Sequence, residues 1–193
     1  MYCRFAIMTQ IPDYEILEKM AEEKLEKRLN GKCRVKLVRG YEEETLRIIR
    51  DIDHRKFRAE LQYSGKEIEE RMRMPGFLCV LIYLDGVPIA FEYGYDIGDG
   101  VYFSDSQATL IEGKGVGTTQ FALELLYLYQ RGYRKVQLTT EELDEQGRAL
   151  RSFWGRMGFV KIGENEDGNV EMEMELNPET ARYQYERYIM PRD

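Results

Sequence analysis

The sequence predicts an α/β fold of the α+β type, with a mixed, largely antiparallel central sheet flanked by helices. Three features lead to this prediction. Segments with helical apolar spacing occur at both ends of the chain, three consecutive strand-like segments lie in the middle, and a glycine-rich loop leads into an apolar helix. The length of 193 residues fits one domain better than two.

The first part of the chain predicts helices around a single strand. Residues 12–29 carry apolar side chains at helical spacing and form the first predicted helix. Residues 34–39 alternate charged and apolar side chains, as a half-buried strand does, and residues 42–58 return to the helical period. Ser64 begins another helix, because Glu67 follows at the spacing of a capping box.

The middle of the chain predicts an antiparallel meander. Residues 77–84 are an apolar run typical of a central strand, and Asp85-Gly86 is a hairpin turn signal that joins it to residues 87–95. A second glycine-rich turn precedes the strand-like residues 101–110. Three consecutive strands therefore pair in chain order.

The last part of the chain predicts two helices and three strands. Residues 118–131 have helical spacing, residues 135–139 form a short strand, and residues 146–157 form a second helix. Residues 158–162 and 170–176 are a final strand pair, in which the alternating methionines point inward as core. The tyrosine-rich tail that follows is left open between self-packing and contact with a partner.

Composition and charge exclude several classes of protein. A formal net charge of -7 argues against nucleic-acid binding and favours a cationic ligand. No apolar run is long enough to span a bilayer, and no signal peptide is recognised at the start, so we expect a cytoplasmic protein without a membrane partner. Cys3, Cys33 and Cys79 are too widely spaced for a zinc site, so we expect reduced thiols and no metal.

The strongest chemical signal is the loop Glu112-Gly113-Lys114-Gly115-Val116-Gly117. Glycines between a strand and a helix let the backbone approach a phosphate, and the helix N-terminus attracts its charge. A nucleoside-triphosphate loop needs Ser or Thr after its lysine, but Gly115 follows Lys114. A dinucleotide fingerprint needs a third glycine at the position of Thr118 and a parallel unit. In the remaining alternative the glycines only cap the helix.

This loop resembles the acetyl-coenzyme A loop of the GNAT acetyltransferases, written R/Q-x-x-G-x-G/A, with Gly115 and Gly117 on its two glycine positions. Glu112 departs from the usual Arg or Gln. Residues 153–159 are similar to the family's downstream segment ending in Gly-Phe, although Trp154 stands where many members have a tyrosine that protonates the leaving thiolate. The resemblance covers residues 34–176, which leaves residues 1–33 as an N-terminal helical extension and 177–193 as a tail.

The resemblance implies acetyl-coenzyme A as co-substrate, between the strand before the loop and the strand at residues 136–139. Pantetheine would pair with the backbone of Asp105, Ser106 and Gln107. The pyrophosphate would lie on residues of the loop and the helix start, namely Glu112, Gly113, Lys114, Gly115, Val116, Gly117 and Thr118. Glu92 and Asp105 are the candidate bases, and Tyr93 and Tyr102 are candidates for the acid that Trp154 cannot supply.

The sequence therefore predicts an N-acetyltransferase that acts on a primary amine, either a small molecule or a protein lysine or N-terminus. Two alternatives stay open: an acyl-coenzyme A-binding regulatory module without catalysis, and a ligand-free interaction protein that uses the acidic residues 141–145. Residues 1–33 would cover the acceptor groove or form a homodimer contact.

Overall fold

The computed structural model describes residues 10–143 and 147–191. Seven strands form one sheet in the order β1-β2-β3-β4-β5-β7-β6. The strands are β1 (Cys33–Arg39), β2 (Leu78–Leu84), β3 (Val87–Gly98), β4 (Val101–Thr109), β5 (Lys135–Thr140), β6 (Val160–Glu164) and β7 (Val170–Glu175). All neighbouring pairs are antiparallel except β4 and β5. The predicted fold class, a mixed and largely antiparallel sheet flanked by helices, is confirmed.

Six α-helices accompany the sheet in the described ranges. They are α1 (Tyr14–Leu29), α2 (Glu43–Lys56), α3 (Gly65–Met72), α4 (Val116–Gln130), α5 (Leu150–Met157) and α6 (Pro178–Gln184). A 3-10 turn (Ala59–Leu61) precedes α3, and a π-helical turn (Tyr185–Ile189) follows α6. The capping box predicted from Ser64 and Glu67 is present at the start of α3.

The helices cover the sheet on two faces. On one face, α2 and α3 pack through Ile49, Ile52 and Ile68 on Phe91 of β3. On the other face lie α1, α4, α5 and the C-terminal helix, with α4 in the centre. Most side chains of α4 are buried, because the sheet covers one side of this helix and α1 and the C-terminal residues cover the other.

Both ends of the described chain contribute to the core. Leu17 and Leu25 of α1 are fully buried and belong to the same apolar cluster as Leu123 of α4. Tyr185 and Ile189, after α6, join that cluster from the C-terminal side. The described tail is therefore packed on the protein itself. The division into residues 1–33, 34–176 and 177–193 stays a prediction.

One predicted helix begins later than its sequence suggests. The pattern predicts a helix over residues 146–157, but α5 begins at Leu150. Gly147 has a φ of 72°, which is not helical, and Ala149 forms a β-bridge with Leu143. Residues 144–146, and with them part of the acidic stretch 141–145, lie outside the described residues. The inward alternation of the methionines is confirmed, since Met172 and Met174 of β7 are buried, as is Leu176 directly after the strand.

The described residues contain neither a membrane-spanning helix nor a metal-binding cluster. No helix there has the length and apolar character to cross a membrane. No group of three or more His, Cys, Asp and Glu side chains in these ranges is arranged to hold a metal ion. Cys33 and Cys79 are free buried thiols, and Cys3 lies outside the described residues.

Candidate active site

The strand before the glycine loop separates from its parallel neighbour. β4 pairs with β5 only at its start, where the last pair is Phe103 with Gln137. Beyond that point β4 pairs with β3 and β5 pairs with β7. In the described structure, no strand pairing joins residues 104–109 to β5, so the backbone of β4 has no strand partner on this side. Asp105, Ser106 and Gln107, predicted to meet pantetheine, all lie along this open edge.

The glycine loop connects this open edge to α4. Gly113 and Gly115 have φ angles of 71° and 79°, in the left-handed region that favours glycine. Gly115 is also the N-cap of α4. The sequence therefore needs glycine at both positions, because a side chain would strain the turn that leads from β4 into the helix.

The residues after Gly115 form the first turn of α4. Val116, Gly117 and Thr118 have backbone N–H groups without an intrahelical acceptor, and the first helical bond runs from Thr119 N–H to the Gly115 carbonyl at 3.0 Å. Together with the positive end of the helix dipole, these N–H groups favour an anion. The side chain of Val116 is buried, so only its backbone is available to a ligand.

Glu112, the first residue of the loop, is held by two basic side chains. Its carboxylate accepts from Arg148 Nη1 at 2.7 Å and forms an ion pair with Lys56 of α2. The hydrogen bonds from Arg148 and Lys56 lower the pKa of Glu112 below its ordinary value. The residue that replaces the family's Arg or Gln is therefore a carboxylate whose charge is offset by two partners.

Gln107 links the open edge of β4 to the start of α4. Its side-chain Nε2 donates to the Gly117 carbonyl at 2.8 Å and to Glu92 Oε2 at 3.2 Å. From the sequence, only a backbone role is predicted for Gln107. The structure shows that the side chain of Gln107 fixes the distance between the strand and the first turn of α4.

A β-bulge separates the two candidate bases. Tyr93 of β3 lies opposite Ser106 and Gly94 lies opposite Ser104, which leaves Asp105 as the extra residue of β4. The bulge turns the Asp105 side chain toward α3, whereas Glu92 points toward α4. The two carboxyl groups, equivalent in the sequence analysis, therefore lie on opposite faces of the sheet.

Asp105 has a cationic and a phenolic partner. Arg71 Nε donates to its carboxylate at 2.5 Å, and the Tyr63 hydroxyl is 3.3 Å away. The Arg71 guanidinium also lies over the Tyr63 ring, 3.9 Å from its centre. Burial raises the pKa of Asp105, because only 6% of the side chain is exposed, while the contact with Arg71 opposes this shift.

Known structures share this arrangement of strands and helices. The chain is similar to the ribosomal-protein-S18-alanine N-acetyltransferase of Escherichia coli, with 14% identity and a TM-score of 0.61 over 74% of this chain and 94% of that one. The aminoglycoside 6'-N-acetyltransferase of Enterococcus faecium has 15% identity and a TM-score of 0.63 over 75% and 97%. A PaiA N-acetyltransferase of Thermoplasma acidophilum, in complex with coenzyme A, has 14% identity and a TM-score of 0.58 over 73% and 98%.

The chain has the GNAT N-acetyltransferase fold. At these identities the likeness is one of fold. No family model matches the sequence, and no curated protein matches it significantly. In this GNAT fold, the open edge of β4 and the first turn of α4 meet at the glycine loop, which is where the sequence predicts the coenzyme.

Glu92, the other candidate base, belongs to a buried pair of acids between β3 and α4. Glu92 and Glu124 of α4 are both fully buried, and Ser104 Oγ donates to Glu92 at 3.0 Å. Burial and the nearby Glu124 raise the pKa of Glu92 well above its ordinary value, and burial raises that of Glu124 to about 7. At neutral pH the pair therefore holds at least one proton.

Three aromatic side chains bear on the missing acid. Trp154 packs against Phe121 and Phe153, with ring centres 4.8 and 4.9 Å apart, and its indole cannot donate a proton as an acid. Tyr102 is fully buried on the α4 side and its hydroxyl donates to the Leu78 carbonyl at 3.4 Å. Tyr93 is buried on the α3 side, and no described group accepts from its hydroxyl. Of these, Tyr93 shares its side of the sheet with Asp105.

Three side chains near the candidate site are not predicted from the sequence. Glu124 is an acidic residue inside the apolar run of α4, a local contrast that marks a buried polar group. Arg71 lies among alternating charges of α3, and Tyr63 lies in a short connection, so neither carries a local signal. Both become recognisable only when the fold brings them to Asp105.

Proposed function

We propose that this protein is an acetyl-coenzyme A-dependent N-acetyltransferase that acts on a primary amine. The observation that carries the proposal is the opening between β4 and β5, which ends at a glycine loop and the N-terminus of α4. An extended chain with a phosphate at one end fits this arrangement, because the strand edge pairs with the chain and the helix end binds the phosphate.

The residues at this site suit the coenzyme. Gly113 has no neighbour within 4 Å of a Cβ placed on it, so the space outside the loop is open. The backbone of Asp105, Ser106 and Gln107 would bind the pantetheine amides, and residues 112–118 would bind the pyrophosphate. Acetyl-coenzyme A, when bound, supplies an activated acetyl thioester.

Asp105 is the better placed of the two candidate bases. It lies at the open edge of β4, whereas Glu92 is enclosed beneath α4 with a second acid. The contact with Arg71 favours the ionised form of Asp105, which an acceptor of a proton requires. We assign it the removal of the amine proton, directly or through a water, and assign Glu92 a structural role.

The charge of the protein supports an amine acceptor. Its net charge of -7 attracts cations, and a primary amine is cationic at neutral pH until it loses a proton. The names of the structural neighbours include both a protein acceptor and an aminoglycoside acceptor. Small amines and protein lysines or N-termini are both acceptors to be tested.

A second candidate, an acyl-coenzyme A-binding module without catalysis, is favoured by one observation. Trp154 is packed among aromatic rings and cannot protonate a leaving thiolate. This candidate predicts the same coenzyme binding but no transfer to any amine.

The test combines thermal unfolding with a transfer assay on wild type, Gly117→Glu and Gly117→Ala. A Cβ at Gly117 would meet Gln107 and Thr109 at ordinary distances of 3.6 and 3.8 Å, so both variants should fold. Glutamate places a negative charge beside the phosphate site, and alanine is its matched control. At about 100 times the dissociation constant, acetyl-coenzyme A should raise the wild-type melting temperature by roughly 5–10 °C.

The outcomes separate the candidates. We expect Gly117→Glu to lose the stabilisation by acetyl-coenzyme A and Gly117→Ala to keep most of it. Release of coenzyme A with any of a panel of polyamines, aminoglycosides and lysine or N-terminal peptides would support the enzyme. Stabilisation without transfer would leave the non-catalytic module. No stabilisation of wild type would remove both and favour the interaction protein.

A further inference from the structure

Basic side chains from distant parts of the sequence meet at the glycine loop. We call this group the basic collar: it consists of Arg28 of α1, Lys56 of α2, Lys114 of the loop and Arg148 before α5. In the part of the chain that the structure describes, Arg28 lies against Lys114 and Gly115, and Lys56 and Arg148 contact Glu112. In a chain with a net charge of -7, a concentration of cations on one short loop needs an explanation in terms of what the loop binds.

Two members of the collar form ion pairs with the acidic residue of the loop. Lys56 and Arg148 both contact the Glu112 carboxylate, so their charge is partly used inside the protein. Arg28 and Lys114 differ from them. In the described ranges no carboxylate forms an ion pair with either side chain. Their positive charge is therefore available to a ligand at the loop.

Arg28 lies against the turn that starts α4. It belongs to the last turn of α1, and its Nη1 donates to the Lys114 carbonyl at 3.4 Å. A Cβ at Gly115 would collide with the same guanidinium group, so Arg28 lies directly beside the N-cap of α4. The bond to Lys114 is long and uses one of five donors, which leaves the rest of the planar group free to bind oxygen atoms.

We propose that Arg28 binds the pyrophosphate of the coenzyme and supplies the cationic contact that Glu112 cannot make. A guanidinium group matches two phosphate oxygens with parallel hydrogen bonds, whereas Lys114 acts as a point charge. The N-terminal helix, which lies outside the resemblance, thereby becomes part of the coenzyme site. This inference rests on the proposed function.

The experiment measures dissociation constants by calorimetry for wild type, Arg28→Ala, Arg28→Lys and Lys27→Ala. Lys27 is exposed in the same last turn of α1, so its replacement removes the same charge from the helix end without touching the loop. Ligands are acetyl-coenzyme A and its 3'-dephospho form, which keeps the pyrophosphate. We expect Arg28→Ala to weaken both ligands roughly 10- to 100-fold. Arg28→Lys should have an intermediate effect and Lys27→Ala an effect below about threefold.

Each result has a separate meaning. Wild-type binding with an Arg28→Ala constant equal to that of Lys27→Ala would overturn this inference and leave the proposed function intact. An effect that disappears with the dephospho ligand would place the contact on the 3'-phosphate and overturn the assignment to the pyrophosphate. Absence of binding in wild type would remove the proposed function, and this inference with it. The melting temperature of each ligand-free variant shows whether Arg28→Ala has lost affinity rather than folding.

Discussion

The two faces of the sheet give a buried carboxyl group opposite surroundings. On the α3 side, Asp105 is held by Arg71 at 2.5 Å and lies at the open edge of β4. On the α4 side, Glu92 faces a second acid, Glu124, and both are fully buried. Beside the open edge, the contact with Arg71 opposes the rise in the pKa of Asp105 that burial causes, whereas inside the core burial raises the pKa of both acids without a cation to oppose it. The neighbouring groups and the location of a carboxyl group, more than its residue type, decide whether it can act as a base.

The largest effect should come from exchanging the acid at the open edge. We expect Asp105→Asn to lower kcat by roughly 100-fold or more, since general-base catalysis contributes about that much. Glu92→Gln is the matched replacement of an acid by its amide on the other face, and it should leave kcat within about threefold of wild type. Steady-state kinetics with the best amine of the panel measures both. A large loss in Glu92→Gln with a normal Asp105→Asn would reverse the assignment.

The buried pair of acids should make stability depend on pH. Burial keeps Glu124 protonated up to about pH 7 and also raises the pKa of Glu92, whereas an unfolded glutamate releases its proton near its ordinary pKa. The folded state therefore binds more protons, and the free energy of unfolding should fall as pH rises from about 5 to 8, by on the order of 2 kcal/mol. Urea unfolding of Glu124→Gln across this range should give a flatter curve and a more stable protein at pH 8. Parallel curves for wild type and variant would contradict a proton held by the buried pair.

The smallest expected effect concerns Arg71, which acts through Asp105. Because Arg71 lowers the pKa of Asp105 against the effect of burial, Arg71→Met should move the acid limb of the pH dependence of kcat/KM to higher pH, by about one unit. Arg73→Met is the matched control, since Arg73 also lies over a tyrosine ring, that of Tyr41, and pairs with Glu69 at the surface. An unshifted limb in Arg71→Met would mean that Asp105 is not the group that titrates.

Much of the fold could be predicted because its signals are local. The meander, the glycine loop and α4 follow from turn residues and apolar periodicity that a few neighbouring residues carry. The start of α5 could not, because Ala149 bridges to Leu143 and the positive φ of Gly147 interrupts the helical pattern. Such a bridge is a contact between segments, which periodicity does not contain.

The candidate site divides in the same way. The loop residues Gly113 and Gly115 predict an anion site from the sequence, because glycines at this spacing allow a turn into a helix N-terminus. The sequence also named Glu92 and Asp105, but it could not separate them. The bulge at Asp105 breaks the strict alternation of β4, so the face of the sheet that each side chain meets depends on pairing with β3.

The sequence by itself determined the order of strands and helices, the glycine loop and the acidic charge of this protein. Only the tertiary structure decided which distant residues serve that loop. Arg28 lies 86 positions from Lys114, and Arg71 lies 34 positions from Asp105. The physical reason is that backbone conformation follows from near neighbours, whereas a charge gains or loses its function from groups that only the packed chain brings within a few ångströms.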